Sequence, residues 1–179
     1  MIITLTILAV LLVWVIVIYN LLVRDRNRVL TAWSDIEVQL KRRHDLIPKL
    51  VDAVKQYAQY ESATITAVTE LRLQSQSISN IEDISTVEAK IGTQIRNLVA
   101  LAEAYPELKA SQSFLDLQRN LTDVEDHIQY ARRYYNGAVR NLNVRIESFP
   151  DMMIARSFGF KKAQFFDFDE NLENNGAQS

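Results

Sequence analysis

An unbroken apolar run opens the chain. Residues 2–23 carry no charged side chain, and the run has four polar members: Thr4, Thr6, Tyr19 and Asn20. As a helix rising ~1.5 Å per residue, the run is about 33 Å long, which is enough to cross a hydrocarbon core of ~30 Å. A cleaved signal peptide is disfavoured, because no basic residue precedes the run and no small-residue cleavage site follows it. The pattern therefore predicts a transmembrane helix at residues 1–23.

After residue 23 the apolar positions become periodic. They recur at alternating steps of four and three, which is typical of the seam of a long, coiled-coil-like amphipathic helix. The spacing predicts a first helix over residues 24–76, with this apolar stripe: Val29, Trp33, Ile36, Leu40, Ile47, Leu50, Val54, Tyr57, Ile65 and Val68. Pro48 interrupts the pattern. Since proline cannot donate to the carbonyl of His44, a kink or short break is expected there.

A second helix is expected after the polar, Ser-rich loop at residues 74–80. It is predicted to begin near Ser85, where Glu88 three residues further on completes a capping box, and to end at Pro106. Its apolar stripe contains seven residues: Ile84, Val87, Ile91, Ile95, Leu98, Leu101 and Tyr105.

The third helix has the most regular pattern in the chain. Steps of three and four continue from Phe114 to Ile146, which predicts a helix over residues 110–148. A Phe-rich segment over residues 151–168 follows, and its length suits folding back along the end of this helix. The remaining residues are polar and anionic, and are expected to be disordered.

Together these elements predict an all-α fold. An N-terminal transmembrane helix continues into an elongated antiparallel helical bundle, made of three long helices plus a short C-terminal helical segment. The predicted organisation is a span at residues 1–23, a bundle at residues 24–168 and a disordered acidic tail at residues 169–179.

The predicted helix lengths do not match. At ~1.5 Å per residue the first helix would be about 80 Å long, the second about 31 Å and the third about 58 Å. The stripe from Val29 to Leu50 would then lack a partner, and apolar stripes of this length are normally covered. Either the helix breaks at Pro48 and folds on itself, or a second copy covers the stripe. The second alternative predicts a homo-oligomer interface at Trp33, Ile36, Leu40, Leu46, Ile47, Leu50, Phe158, Phe160, Phe165 and Phe166.

Charged residues indicate the orientation of the span. No side-chain cation precedes it, whereas residues 24–50 carry seven cations against four anions. Since cations are retained on the cytoplasmic side, the N-terminus is expected outside and the bundle in the cytoplasm. Three arginines next to the span are candidates for contact with anionic lipid: Arg24, Arg26 and Arg28. The alternative is that these arginines only set the topology.

Composition excludes several classes of function. The chain has no cysteine, and therefore no disulfide, catalytic thiol or thiolate metal site. A net charge of −2 argues against a nucleic-acid partner. His44 and His127 lack the Glu-x-x-His spacing of di-metal bundles and are interpreted as surface side chains. No H-E-x-x-H, G-x-x-x-x-G-K or G-x-S-x-G motif is present. We therefore predict no enzyme activity, no catalytic residue, no cofactor and no metal site.

Charged residues on the apolar seam predict a polar brace between helices. Arg43 and Glu61 both lie on the stripe of the first helix. A charge that faces a core needs a partner, because its desolvation is otherwise costly. The third helix offers three partners on or beside its stripe: Glu125, Arg132 and Asn136. A brace that fixes the register of the helices is preferred over a catalytic cluster at the same residues.

The Phe-rich segment has two interpretations. Its four phenylalanines between residues 158 and 166 lie near Lys161 and Lys162, and apolar rings beside lysines suit a head-group boundary. The alternative, preferred on the sequence, is packing onto the end of the bundle or onto a neighbouring subunit.

A series of motifs resembles the LemA family. They are YNLLV at residues 19–23, AWSDIEVQLKRRHDLIPKLV at residues 32–51, ARRYYN at residues 131–136, SFP at residues 148–150 and FGF at residues 158–160. The resemblance implies a bacterial single-pass membrane protein with a short external N-terminus and a cytoplasmic antiparallel bundle. It supplies no activity, cofactor or catalytic residue. Relatives are associated with membrane organisation, one of them with the formation of magnetosome membranes.

These observations predict a membrane-anchored, self-associating scaffold that organises or shapes the bacterial inner membrane. Its expected partners are further copies of itself and membrane lipid. The alternative is a membrane-tethered adaptor for an unidentified protein partner such as a protease or an ATPase.

Overall fold

The computed structural model describes residues 1–57 and 62–167. These residues form six helices and no strand: α1 (Ile2–Lys55), α2 (Ser62–Ser77), α3 (Ile81–Glu103), α4 (Pro106–Lys109), α5 (Gln112–Glu147) and α6 (Asp151–Ser157). The predicted all-α class is therefore confirmed. Within the described residues, α1 is the one helix that is long and apolar enough to cross a membrane. The predicted acidic tail, residues 169–179, lies outside the described residues.

α1 continues through Pro48 without interruption and ends at Lys55. A short break at Pro48, one of the two expected outcomes, is therefore wrong, whereas the kink stays a prediction. Proline still leaves the carbonyl of His44 without its usual helical donor. The Arg72 side chain on α2 replaces that donor, with Nε 3.0 Å from the His44 oxygen. The predicted first helix is instead divided into α1 and α2.

α3 begins at Ile81, ahead of the predicted start near Ser85. Its N-cap is Asn80, whose side-chain oxygen accepts a hydrogen bond from the Glu82 backbone N–H at 3.2 Å. Asparagine caps as well as serine does, and the acidic first turn adds a favourable interaction with the helix dipole. The predicted capping box between Ser85 and Glu88 is therefore wrong, which leaves Glu88 available for another role.

The chain divides into two compact units. The first, called the span unit here, comprises residues 1–35 and 133–165. The second, called the bundle unit, comprises residues 36–132 and 166–179, of which residues 36–57, 62–132 and 166–167 are described. α1 and α5 each contribute to both units.

The bundle unit packs parts of α1 and α5 with α2, α3 and α4 around one apolar core. The core follows the predicted stripes, since positions three and four residues apart share one face of a helix. Its buried members are Ile47, Leu50, Val51, Val54, Ile65, Val68, Val87, Ile91, Ile95, Leu98, Ala102, Leu108, Phe114, Leu117 and Leu121.

The span unit pairs α1 with α5 in antiparallel orientation. Asp25 of α1 binds Arg145 of α5, and Trp33, further along α1, packs against Tyr135, which lies earlier on α5. The chain after α6 returns along α5. Asn143 exchanges two hydrogen bonds of 2.9 Å with the backbone of Ala163. The Phe-rich segment therefore folds back along the third long helix, as its length predicts.

The apolar stripe assigned to an oligomer interface is largely buried within one chain. Five of its assigned residues are less than a tenth exposed: Ile36, Leu40, Ile47, Leu50 and Phe166. The single helix predicted over residues 24–76 is wrong, because α1 ends at Lys55 and α2 is a separate helix. Three more assigned residues are partly buried, namely Trp33, Leu46 and Phe160, whereas Phe158 and Phe165 are exposed. Self-association itself stays a prediction.

Candidate functional site

A buried polar cluster lies inside the bundle unit. Arg43 on α1 is 2% exposed, and its Nη1 donates both to Glu88 Oε2 and to the Glu88 backbone oxygen on α3, each at 3.1 Å. Its Nη2 donates to Glu125 on α5. One guanidinium thus joins three helices. We call Arg43, His44, Ser75, Glu88 and Glu125 the Glu88 cluster.

Glu88 is the centre of this cluster. Its side chain is fully buried, and its second oxygen, Oε1, lies 2.7 Å from His44 Nε2 and accepts the Ser75 hydroxyl of α2. Burial by itself raises the pKa of the Glu88 carboxyl. The hydrogen bond with His44, the charge of Arg43 and the Ser75 hydroxyl outweigh it, so the pKa lies below its usual value.

The Glu88 cluster is a closed arrangement. Among the described residues, no buried side-chain nitrogen or oxygen lacks a hydrogen-bond partner. Both Glu88 oxygens accept hydrogen bonds from side chains of neighbouring helices. In the part of the chain that the structure describes, no group of three potential ligands among His, Asp and Glu could hold a metal ion. The geometry suits a link between helices.

The structure differs from the predicted brace in its members. It brings Arg43 and Glu125 together, whereas Glu61 lies outside the described residues. Arg132 and Asn136 each have an interaction partner of their own. His44, interpreted as a surface side chain, is 8% exposed, and that interpretation is wrong. His127 is half-exposed, as expected, with Nδ1 2.7 Å from the Asp123 backbone oxygen.

Sequence analysis missed the role of Glu88. The available signal was its place between Val87 and Ile91, on the face that α3 buries. A carboxylate in that position requires buried donors.

A groove lies next to the Glu88 cluster within the bundle unit. It has a volume of about 360 Å³ and runs between α3 and α5. Ile95, Val99 and Leu121 form apolar parts of its wall, while Arg43 and Arg96 supply cationic groups. Glu125 and Asp126 supply carboxylates on the opposite wall. The groove therefore combines apolar surface with both signs of charge.

A second ionic cluster lies in the span unit and is centred on Asp25. This carboxylate is 4% exposed and accepts a hydrogen bond of 2.6 Å from Arg145 Nε. Arg145 also donates to Asp151 of α6 at 2.8 Å. Partial burial lowers the pKa of Arg145, but the bonds with Asp25 and Asp151 outweigh it and raise the pKa. This cluster joins α1, α5 and α6.

Two of the arginines predicted to contact lipid lie beside Asp25. Arg24 Nε is 3.7 Å and Arg28 Nη1 is 3.6 Å from Asp25 Oδ1, and both side chains are more than half exposed. The third, Arg26, lies over the ring of Phe160, with its guanidinium carbon 5.7 Å from the ring centre. All three therefore have exposed faces close to the end of the apolar run.

Aromatic residues pack against the end of the apolar run. The Tyr19 ring centre lies 4.9 Å from that of Phe158 and 5.9 Å from that of Phe160. We call Tyr19, Arg26, Phe158 and Phe160 the span-end cluster. Phe160 thus packs against the end of the predicted span, and packing onto the end of the bundle or onto a neighbouring subunit stays a prediction. Phe158 nevertheless keeps 57% of its surface exposed.

Tyr135 fixes the segment that follows this cluster. Its hydroxyl donates to the Gln164 backbone oxygen at 2.8 Å, and its ring packs against Trp33. Burial raises the pKa of the Tyr135 hydroxyl, so this group stays a proton donor at neutral pH.

The chain is similar to members of one protein family over most of its length. A family model described as LemA family matches residues 32–177. Protein LemA of Metamycoplasma hominis is 28% identical over 155 residues, which cover 84% of this chain and 69% of that protein. Magnetosome protein MamQ of Magnetospirillum gryphiswaldense is 23% identical over 174 residues. That match covers 83% of this chain and 64% of MamQ, so this chain spans less than two thirds of that relative's length.

Proposed function

The chain belongs to the LemA family, and on this premise we propose that it is a membrane-anchored helical scaffold. In this proposal it organises or shapes the bacterial inner membrane by associating with further copies of itself, and it catalyses no reaction. Its folded units lie on the cytoplasmic side, and its short N-terminus lies outside.

One observation carries the proposal. Ile18 and Leu22 belong to the apolar run, yet they are 4% and 0% exposed, because they are packed inside the span unit. The helix that enters the membrane is thus already part of a folded unit before the apolar run ends, and no linker separates the two. A protein built in this way holds folded structure directly at the bilayer surface.

The distribution of charge supports the proposed orientation. Seven side-chain cations lie within residues 24–50, directly after the apolar run. Cations close to a span are retained on the cytoplasmic side. The names of the relatives support a role at a membrane, since MamQ is a magnetosome protein.

Exposed apolar side chains of the span unit support association between copies. Phe165 is 42% exposed, Tyr134 is 60% exposed and Leu30 is 58% exposed. Trp33, which is partly buried, belongs to the same unit. The apolar stripe of α1 is largely covered within one chain. The proposed contact surface between copies therefore consists of these residues instead.

The molar mass of the full chain in detergent tests the scaffold. We expect particles containing several copies of the 20.6 kDa chain, and fewer copies after Tyr134→Ala and Phe165→Ala. Asn141→Ala, an exposed change on the same helix as Tyr134, serves as the control and should leave the mass unchanged. A monodisperse single copy at every protein concentration would contradict self-association.

The groove beside the Glu88 cluster favours a second candidate function, an adaptor for another protein. Its volume of about 360 Å³ and its mixture of apolar and charged walls suit an inserted side chain or helix end. Ala100→Arg, a change at an exposed position on the groove wall, would place a long side chain in the groove without removing a core residue. If the protein is an adaptor, this substitution should abolish the cellular phenotype that depends on the protein. The molar mass of the protein in detergent and its melting temperature should stay the same.

A further inference from the structure

We propose that the corner between α5 and α6 is inserted into the membrane interface beside the span, with the phospholipid bilayer as its binding partner. This corner comprises residues 148–160. Three of its large apolar side chains are exposed: Phe149 by 78%, Met153 by 57% and Phe158 by 57%. The inference rests on membrane anchoring alone and does not require self-association.

Contacts within the span unit place the corner next to the apolar run. Phe158 packs against Tyr19, which lies four residues before the end of the run at Val23. Arg145 binds Asp25, and α5 runs antiparallel to α1, so the chain beyond Arg145 proceeds toward the run. The exposed phenylalanines therefore lie at the level of its last turns.

The length of the exposed run gives an independent reason for insertion. Residues 2–17 contain no buried side chain, whereas Ile18 and Leu22 are covered by protein. Those sixteen residues span about 24 Å at ~1.5 Å each, against a hydrocarbon core of ~30 Å. Including residues 18–23 brings the apolar segment to about 33 Å, which matches that thickness without thinning of the bilayer. At that depth it also contacts the corner.

The chemistry of the corner fits the boundary between hydrocarbon and head groups. Residues 24–28 and 145–162 together carry seven cations and three carboxylates, and Arg156 and Lys161 are exposed. Long cationic side chains keep their stems along apolar surface while their charges reach the head groups. Tyr19 has the apolar ring and polar hydroxyl that are typical of aromatic belts at membrane interfaces. A bilayer containing anionic phospholipid is therefore the proposed partner.

Single-cysteine spin labels in the full chain test this inference. The chain has no cysteine, so Phe149→Cys, Met153→Cys and Phe158→Cys each give one labelling site. Gln129→Cys is the matched control, because Gln129 is exposed on α5 and lies outside the proposed contact surface between copies. It lies eighteen residues before the end of α5, about 27 Å along the helix. Each variant is reconstituted in nanodiscs of phosphatidylcholine and phosphatidylglycerol.

Collision of the labels with oxygen and with a water-soluble nickel complex measures their depth. We expect the ratio of oxygen to nickel collisions to be several-fold higher at the three corner positions than at residue 129. Nickel access at the corner equal to that at residue 129 would overturn the inference. So would spin–spin broadening at the corner that disappears on dilution with unlabelled protein, since a second copy would then be the partner. Deep labels on a single-copy protein would keep this inference and overturn the scaffold.

Discussion

Two carboxylates, Glu88 in the bundle unit and Asp25 in the span unit, are each the centre of an ionic cluster that joins several helices, but their partners differ in exposure. Glu88 is bound by Arg43, whose side chain is 2% exposed. Asp25 is bound by Arg145, whose side chain is 26% exposed and which keeps a second carboxylate partner in Asp151. The first site is enclosed and the second is open to its surroundings.

This difference separates a structural site from a surface site. In the enclosed cluster, removing Glu88 leaves the buried Arg43 and His44 without the acceptor that they share, so the penalty is large. In the open cluster the remaining charges regain water, so the penalty is smaller. We therefore expect the enclosed cluster to fix the register of the bundle helices, whereas the open one lies beside the proposed lipid contact.

The largest effect is expected for Glu88→Ala. This change leaves Arg43 and His44 buried without their shared acceptor, and should lower the free energy of unfolding by about 3–5 kcal/mol. Denaturant unfolding of the full chain in detergent, followed by circular dichroism, measures the loss. Glu70→Ala, at an exposed position on α2, is the control, and an equal loss in both variants would show that the enclosure of Glu88 has no energetic importance.

The next largest effect is the pH dependence of the stability that Glu88 contributes. Because the pKa of Glu88 is lowered in the fold, its charge stabilises the native state fully above the unfolded pKa of about 4.3, and this contribution is lost as the pH falls through the lower folded pKa. The stability difference between the natural chain and Glu88→Gln should therefore be constant near neutral pH and shrink below pH ~4.3. A difference that grows on acidification would contradict this assignment. Glu70→Gln should show no such trend.

A smaller effect is expected for Asp25→Ala. The loss of a charged hydrogen bond to the partly exposed Arg145 should cost about 1–3 kcal/mol, less than Glu88→Ala. The matched control is Asp35→Ala, the same change at an exposed position on the same helix. If Asp25→Ala cost as much as Glu88→Ala, the distinction between an open and an enclosed cluster would be wrong.

The smallest effect is expected for Asn143→Ala. It removes two neutral hydrogen bonds to Ala163, which should cost about 1–2 kcal/mol and act locally on the returning segment. Hydrogen exchange of the Ala163 amide should accelerate, while exchange in α3 stays the same. Asn141→Ala, two residues away and exposed, is the control and should change neither.

Sequence patterns predicted the helices more accurately than they predicted the contacts between the helices. The spacing from Phe114 to Ile146 predicted α5 to within two residues at either end, because a helix buries residues three and four apart whatever they pack against. The apolar run predicted the span for an equally local reason, namely its length. Pro48 and Glu88 were misjudged, because their outcomes depend on Arg72 and on Arg43 with His44, which lie on other helices.

The sequence by itself determined the apolar run, the helical periodicity and the family, since each is written in the order of the residues. Only the tertiary structure decided that α1 ends at Lys55, that its stripe is covered within one chain and that Arg43 binds Glu88. The physical reason is that partners far apart in the chain become neighbours only when helices pack. Which charge finds a partner, and which apolar side chain stays exposed, depends on that packing.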